Sequence, residues 1–179
     1  MLKKIVGALL VLCTACSSGI APSVAPPPIL GPDGTPARIV DMRLQGLDDE
    51  RFRLSAHRGE VVIVVYVTTW SIPAGVMLQR LKGLVTGEGA VPGLRVVAVA
   101  LDERPEAMLP PFVSHTDPGF PVYPGSAADR AGQTVFGELP GVPTMFLIDP
   151  AGRHVGTMVG MFEPAKLRRW ARSTLKGDR

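Results

Sequence analysis

The run Trp70-Ser71-Ile72-Pro73-Ala74 is the first place to look for chemistry in this 179-residue chain. It follows a continuously apolar stretch, VVIVVYV at residues 61–67, and precedes a helix-type pattern. A nucleophile at such a junction would face the positive end of a helix dipole, which favours the anionic form. Ser71 is the only hydroxyl in the run. A serine nucleophile needs a base within hydrogen-bond reach. The histidines, His57, His115 and His154, all lie far from it in sequence. The same residues describe a helix start, with Ser71 as the N-cap and Ile72 and Pro73 in the first turn. That is the role expected for Ser71. Ala74 has no functional atom.

Thiol chemistry is bounded by the cysteine count. The chain has two cysteines, Cys13 and Cys16, both near its start. Met1-Leu2-Lys3-Lys4 is a basic n-region and IVGALLVL at 5–12 an apolar h-region, too short to span a bilayer. Cys13-Thr14-Ala15-Cys16 resembles the lipobox of bacterial lipoproteins, although Cys13 stands where Leu is usual. Residues 1–15 are read as a lipoprotein signal peptide, with an ordinary signal peptide or uncleaved anchor as the alternative. Cleavage would discard Cys13, and acylation would block Cys16 and anchor the chain in a membrane. Residues 16–37 are read as the lipidated cysteine and a Pro-rich tether with too little apolar surface to order itself. Ser17 after Cys16 resembles an outer-membrane sorting signal, placing the domain in the cell envelope, facing the periplasm. The net charge of +3 falls to +1 without Lys3 and Lys4, which gives no argument for nucleic acid.

Other candidates carry less. His154, Met158 and Met161 lie close together, and Met can bind Cu(I). Alternation along a strand would put 154 and 158 on one face and 161 on the other. Core or edge methionine is the expected reading, with no metal and no cofactor. Thr68 is expected to satisfy backbone groups at the strand end. Lys166, Arg168, Arg169, Arg172 and Lys176 make the last helix basic; a solvated face is the plain reading and contact with anionic lipid the sharper one.

The elements that must position these residues follow from pattern. Residues 39–44 and 52–54 read as two short strands around an Asp48-Asp49-Glu50 turn, making an N-terminal hairpin. Residues 61–67 and 94–101 read as strands buried on both faces. Residues 73–85 read as a helix lined by Val76, Met77, Leu81 and Leu84. A short helix is expected at 105–113, weakened by Pro110-Pro111, and an extended piece at 121–123. Residues 127–136 read as helix or turn, 144–149 and 153–160 as paired strands, and 164–175 as a helix lined by Leu167, Trp170, Ala171 and Leu175. The fold class is α/β with a central mixed β-sheet flanked by helices.

The domain at residues 38–176 resembles the TlpA/ResA-like thiol–disulfide oxidoreductases, a thioredoxin-like family within the redoxin, AhpC/TSA-type group. The resemblance rests on Leu54…Arg58-Gly59-Glu60-Val61-Val62, Thr69-Trp70-Ser71-Ile72-Pro73-Ala74, residues 96–102 (VVAVALD), Gly141-Val142-Pro143-Thr144 and residues 146–152 (FLIDPAG). It implies a thioredoxin-like fold with a cis Val142–Pro143 bond. It also implies that Ser71 and Ala74 occupy the two cysteine positions of a W-C-x-P-C motif. Val65 occupies the position of the buried Asp that thioredoxins place five residues before the motif Trp. Thr68 and Ser71 keep the T-x-x-C spacing of peroxiredoxins without the thiol. Disulfide exchange needs an attacking thiolate and a resolving sulfur, and neither residue supplies one.

The function expected on these grounds is a redox-inactive, thioredoxin-like envelope protein that binds a peptide or protein. Trp70, Pro73, Val142 and Pro143 are expected to form the apolar rim of the groove. The alternatives are a thiol–disulfide oxidoreductase or peroxiredoxin-like protein using a partner's thiols, an engineered cysteine-less variant of one, or a purely structural lipoprotein.

Overall fold

Seven consecutive apolar residues have no side to give to water, so the strand they form must be central. The computed structural model describes residues 31–177; the segment read as a signal peptide, Cys16 and most of the segment read as a tether lie outside the described residues. Strands β1 (Arg43–Gln45) and β2 (Arg51–Arg53) form an antiparallel hairpin, followed by a single 3-10 turn, Leu54–His57. Strand β3 (Val61–Val67), helix α1 (Ile72–Val85), strand β4 (Leu94–Ala100), helix α2 (Pro105–Thr116) and strand β5 (Val122–Pro124) come next. Helix α3 (Ala127–Arg130) leads into a two-residue-strand hairpin, β6 (Gln133–Thr134) and β7 (Gly137–Glu138). Strands β8 (Thr144–Ile148) and β9 (His154–Val159) and helix α4 (Pro164–Lys176) complete the chain.

The main sheet has the order β5-β4-β3-β8-β9. β3 pairs in parallel with β4 and antiparallel with β8, so it is central and every one of its residues is buried. Alternation divides its side chains between two cores. Val62, Val64 and Tyr66 face the side covered by Leu44 and Phe52 of the N-terminal hairpin, Leu54 and Phe136. Ile63, Val65 and Val67 face α1 and α4, through Ala74, Met77, Leu78, Leu81 and Leu167, with Phe112 of α2 packed alongside. The Tyr66 hydroxyl donates to Asp129 of α3 at 3.0 Å, and Asp129 closes a capping box with Ser126. Burial, and then the Asp129 carboxylate, hold the Tyr66 phenol well above its ordinary pKa.

Several expectations change. The first strand begins at Arg43, because Ile39 makes only an isolated bridge to Arg153 and is exposed. Leu54 lies in the 3-10 turn, outside β2. Val76 is exposed; Ala74 and Leu78 take its place on the buried face of α1. On α4 the fully buried residues are Leu167, Ala171 and Thr174, with Trp170 and Leu175 half-buried. Helix α2 runs through Pro110 and Pro111 to Thr116. Both prolines lie on its exposed side, where the carbonyls they leave unpaired can reach water. Residues 127–136 split into a short helix and a hairpin.

The largest correction concerns the β8–β9 register. Leu147 pairs with Gly156 but Ile148 with His154, so Val155 is an extra residue at a β-bulge. The bulge reverses the alternation. His154 stacks edge-on against Phe136 and Phe146 on one face, while Met158 packs with the α1–α4 core on the other. His154 and Met158 therefore do not share a face, and Met161 is exposed. His154 Nε2 lies 3.0 Å from the Gly156 carbonyl, which can only accept, so Nε2 carries the proton.

Burial lowers the His154 pKa below its ordinary 6.5. The unfolded chain then binds a proton that the folded chain refuses. Stability is full above the ordinary value and falls as pH drops from about 6.5 towards the depressed one. Urea-unfolding midpoints should decline over that window in wild type and flatten in His154→Phe. An identical pH slope in both would contradict the assignment.

Candidate functional site

The site is built where three elements end together. β3 delivers Thr68-Thr69-Trp70-Ser71 to the edge of the sheet, and α1 starts at Ile72. Tyr66 pairs with Thr144, so the chain entering β8 runs beside the end of β3. That entering segment contains the cis Val142–Pro143 bond, as the sequence led us to expect. β4 ends one residue short of Leu101, whose N–H donates to the Val67 carbonyl at 2.9 Å, and Asp102 follows.

Asp102 is the residue that sequence reasoning missed as part of this site. It is buried, and its carboxylate accepts from the Thr69 N–H at 3.1 Å and the Thr69 hydroxyl at 2.7 Å. It thus clamps the loop that carries Trp70 and Ser71. The signal was present: an acidic residue directly after a fully apolar strand, at the sheet edge where connecting loops gather.

Ser71 holds the N-cap position with extended backbone, φ −89° and ψ 120°, but its hydroxyl makes no capping bond. The reason lies in its neighbours. A capping hydroxyl accepts from N2 or N3. N2 is Pro73, which has no N–H, and the N3 donor, Ala74 N–H, is 3.0 Å from the Ser71 carbonyl instead. Thr68 also departs from expectation. Its hydroxyl is buried and forms no hydrogen bond among the described residues; only its carbonyl acts locally, accepting from Ser71 N–H at 3.2 Å.

Behind the motif Ala74 is 1% exposed and packs among apolar side chains, in the same buried cluster as Val65 and Val67. In front of the motif the surface is apolar and open. Trp70 is 73% and Ile72 86% exposed, with Pro73, Val76 and Val142 also exposed. Pro143, expected on the rim, is buried instead, and its carbonyl accepts from Gly160 N–H at 2.8 Å. Among the described residues Val142 forms no backbone hydrogen bond, so its N–H and carbonyl are available to an added strand. Trp70, Pro73 and Val142 are thus brought to one end of the sheet, with Pro143 beneath. Among the described residues no histidine hydrogen-bonds Ser71: His57 stacks on Phe52, and His154 packs in the core on the hairpin side. His115 lines a groove between α1 and α2 with Ile72 and Val76. Among the described residues no group of three or more His, Cys, Asp or Glu could hold a metal ion.

No family model matches the chain. Solved structures do. A thiol:disulfide interchange protein of the thioredoxin family from Chlorobium tepidum aligns with 22% identity over 85% of this chain and 99% of its own, at a TM-score of 0.61. StoA from Bacillus subtilis aligns with 19% identity over 75% and 98%, at 0.58. The exposed lipoprotein thioredoxin of Streptococcus pneumoniae aligns with 19% identity over 74% and 98%, also at 0.58. The chain has a thioredoxin-like fold: a central mixed sheet flanked by helices, preceded by a short hairpin.

Replacing Asp102 by Ala leaves the Thr69 N–H and hydroxyl without their acceptor. We expect a stability loss of about 1–3 kcal/mol, together with faster amide exchange at Thr69 and Trp70. Glu103→Ala, next door and exposed, should stay within about 0.5 kcal/mol of wild type. Equal effects from the two substitutions would refute the clamp.

Proposed function

We propose that this protein is a redox-inactive, thioredoxin-like domain of the cell envelope that binds extended peptide segments of other proteins at the motif end of its sheet. The observation that carries the proposal is a conflict between the two sides of the motif. The outer side keeps the features of a peptide groove: exposed Trp70, Ile72 and Val142, and an unpaired backbone at Val142. On the inner side the motif positions carry no thiol and no proton-transfer group: Ser71, Ala74 and Val65 stand at the three positions where the resemblance puts Cys, Cys and Asp. Residues 17–179 contain no cysteine, so the chain cannot supply a thiol from elsewhere once the first sixteen residues are processed.

Attack by Ser71 is disfavoured on chemistry. A serine hydroxyl near neutral pH needs a base, and among the described residues none of the three histidines hydrogen-bonds it. Binding without turnover asks less of the site. An extended segment can add main-chain hydrogen bonds at Val142, while Trp70 and Ile72 cover its apolar side chains. In this reading Cys16 carries the lipid, residues 17–37 form the tether, and the domain faces the periplasm from the outer membrane. The lipoprotein named among the similar structures supports the lipid anchor by analogy alone.

The test uses a reduced, thiol-blocked, permanently unfolded protein as probe, with affinity read by fluorescence anisotropy. Wild type should bind it, and Trp70→Ala should bind at least about tenfold more weakly, as expected of an aromatic anchor. The melting temperature should not change, because Trp70 is mostly exposed. Wild type should also reduce insulin no faster than buffer. Insulin turnover, or equal binding by the two proteins, would overturn the proposal.

A further inference from the structure

Helix α4 carries five cations, Lys166, Arg168, Arg169, Arg172 and Lys176, and no acidic residue. Five positive charges exceed the +3 net charge of the whole chain, so everything outside α4 is net negative. The molecule is therefore electrically polarised, with its positive pole on one helix. Four of these residues, at 166, 169, 172 and 176, are three or four apart and form one stripe along the helix surface. All four are exposed, while Leu167, Ala171 and Thr174 face the core. Among the described residues none of the four joins an ion pair; the five pairs present lie elsewhere. Only Arg168 is engaged, donating to the Gly83 carbonyl of α1 at 3.4 Å. A plain solvated face would ordinarily mix both signs of charge.

Position adds a second argument. Ala171 packs with Val61, the first residue of β3, whereas the Trp70 motif follows Val67, the last. A seven-residue strand spans about 20 Å. Leu167, near the start of α4, packs in the cluster that holds Val67, so the helix runs along β3 from its motif end towards its first residue. A surface that held the stripe would lie along that flank and leave the rim, at the strand end, uncovered.

We propose that the α4 stripe docks the domain on an anionic lipid bilayer, leaving the Trp70 rim at the end of the sheet uncovered. The proposal needs neither acylation of Cys16 nor peptide binding, because it rests on the charge and placement of α4 alone. The lipid surface is the favoured occupant because the stripe is linear and exposed along one helix, and lipid phosphates offer an extended field of negative charge.

The experiment measures partition of the full chain onto phosphatidylcholine vesicles with and without about 30% phosphatidylglycerol, at limiting lipid. Lys3 and Lys4 beside the apolar N-terminal run add an anionic preference of their own, so the share due to α4 is the part of the ratio that the α4 variants lose. Wild type should prefer the anionic vesicles by at least about tenfold, and the preference should shrink as salt rises. The variant Lys166→Gln/Arg169→Gln/Arg172→Gln/Lys176→Gln should lose most of the preference at an unchanged melting temperature. The milder Arg169→Gln/Arg172→Gln should fall in between and serves if the fourfold variant melts early. A wild-type ratio near one, or an unchanged ratio in the variants, would overturn the proposal. So would loss of binding on exchanging chloride for inorganic phosphate at equal ionic strength, which would mark the stripe as a site for free anions.

Discussion

The burial of β3 on both faces is the constraint on which the rest depends. Residues 61–67 have no polar side chain other than the Tyr66 hydroxyl, and all seven are buried. Such a strand must lie at the middle of a sheet with a layer on each side. That requirement places β4 and β8 as its neighbours, the N-terminal hairpin over one face, and α1 and α4 over the other. It also carries residues 68–71 to the sheet edge at a fixed height. The apolar wall that makes the strand central also packs against Ala74 at the start of α1.

Around that strand the site is held by a few local bonds. Asp102 fixes the loop from the β4 side through Thr69, and the Val142–Pro143 segment closes it from the β8 side. Ser71 and Pro73 then start α1 without a side-chain cap, because proline removes one donor and the Ser71 carbonyl takes the other. The result is a rigid frame that displays Trp70 and Ile72 to solvent. Exposed large apolar residues gathered at one end of a sheet mark an interaction surface more readily than a scattered few would. The buried, unpartnered Thr68 hydroxyl sits under this frame, and the structure offers no account of it.

Much of this was legible in the sequence. The two continuous apolar strands, the helices expected at 73–85 and 164–175, the cis bond and the Trp70–Ala74 junction all followed from residue pattern or resemblance. The misses have physical reasons. A β-bulge at Val155 reverses the side-chain alternation, and a strand pattern carries no mark of a single inserted residue. The prolines of α2 suggested an early stop, but the exposed side of a helix tolerates unpaired carbonyls. Val76 fitted the helical spacing as well as Ala74 did; only packing against β3 chose between them. Asp102 was visible as a residue and invisible as a clamp, because its partner Thr69 lies on another strand's exit. Pro143 fell below the rim because the chain turns inward there to begin β8.

The central claim is that a peptide binds across the motif end of the sheet in the absence of thiols. Hydrogen exchange of the full chain, with and without the thiol-blocked unfolded protein at saturating concentration, tests it most directly. The account predicts slowed exchange at the Val142 and Thr144 amides and over residues 70–72, with α4 and the N-terminal hairpin unchanged. Protection confined to other surfaces, or none at all under saturating probe, would contradict it.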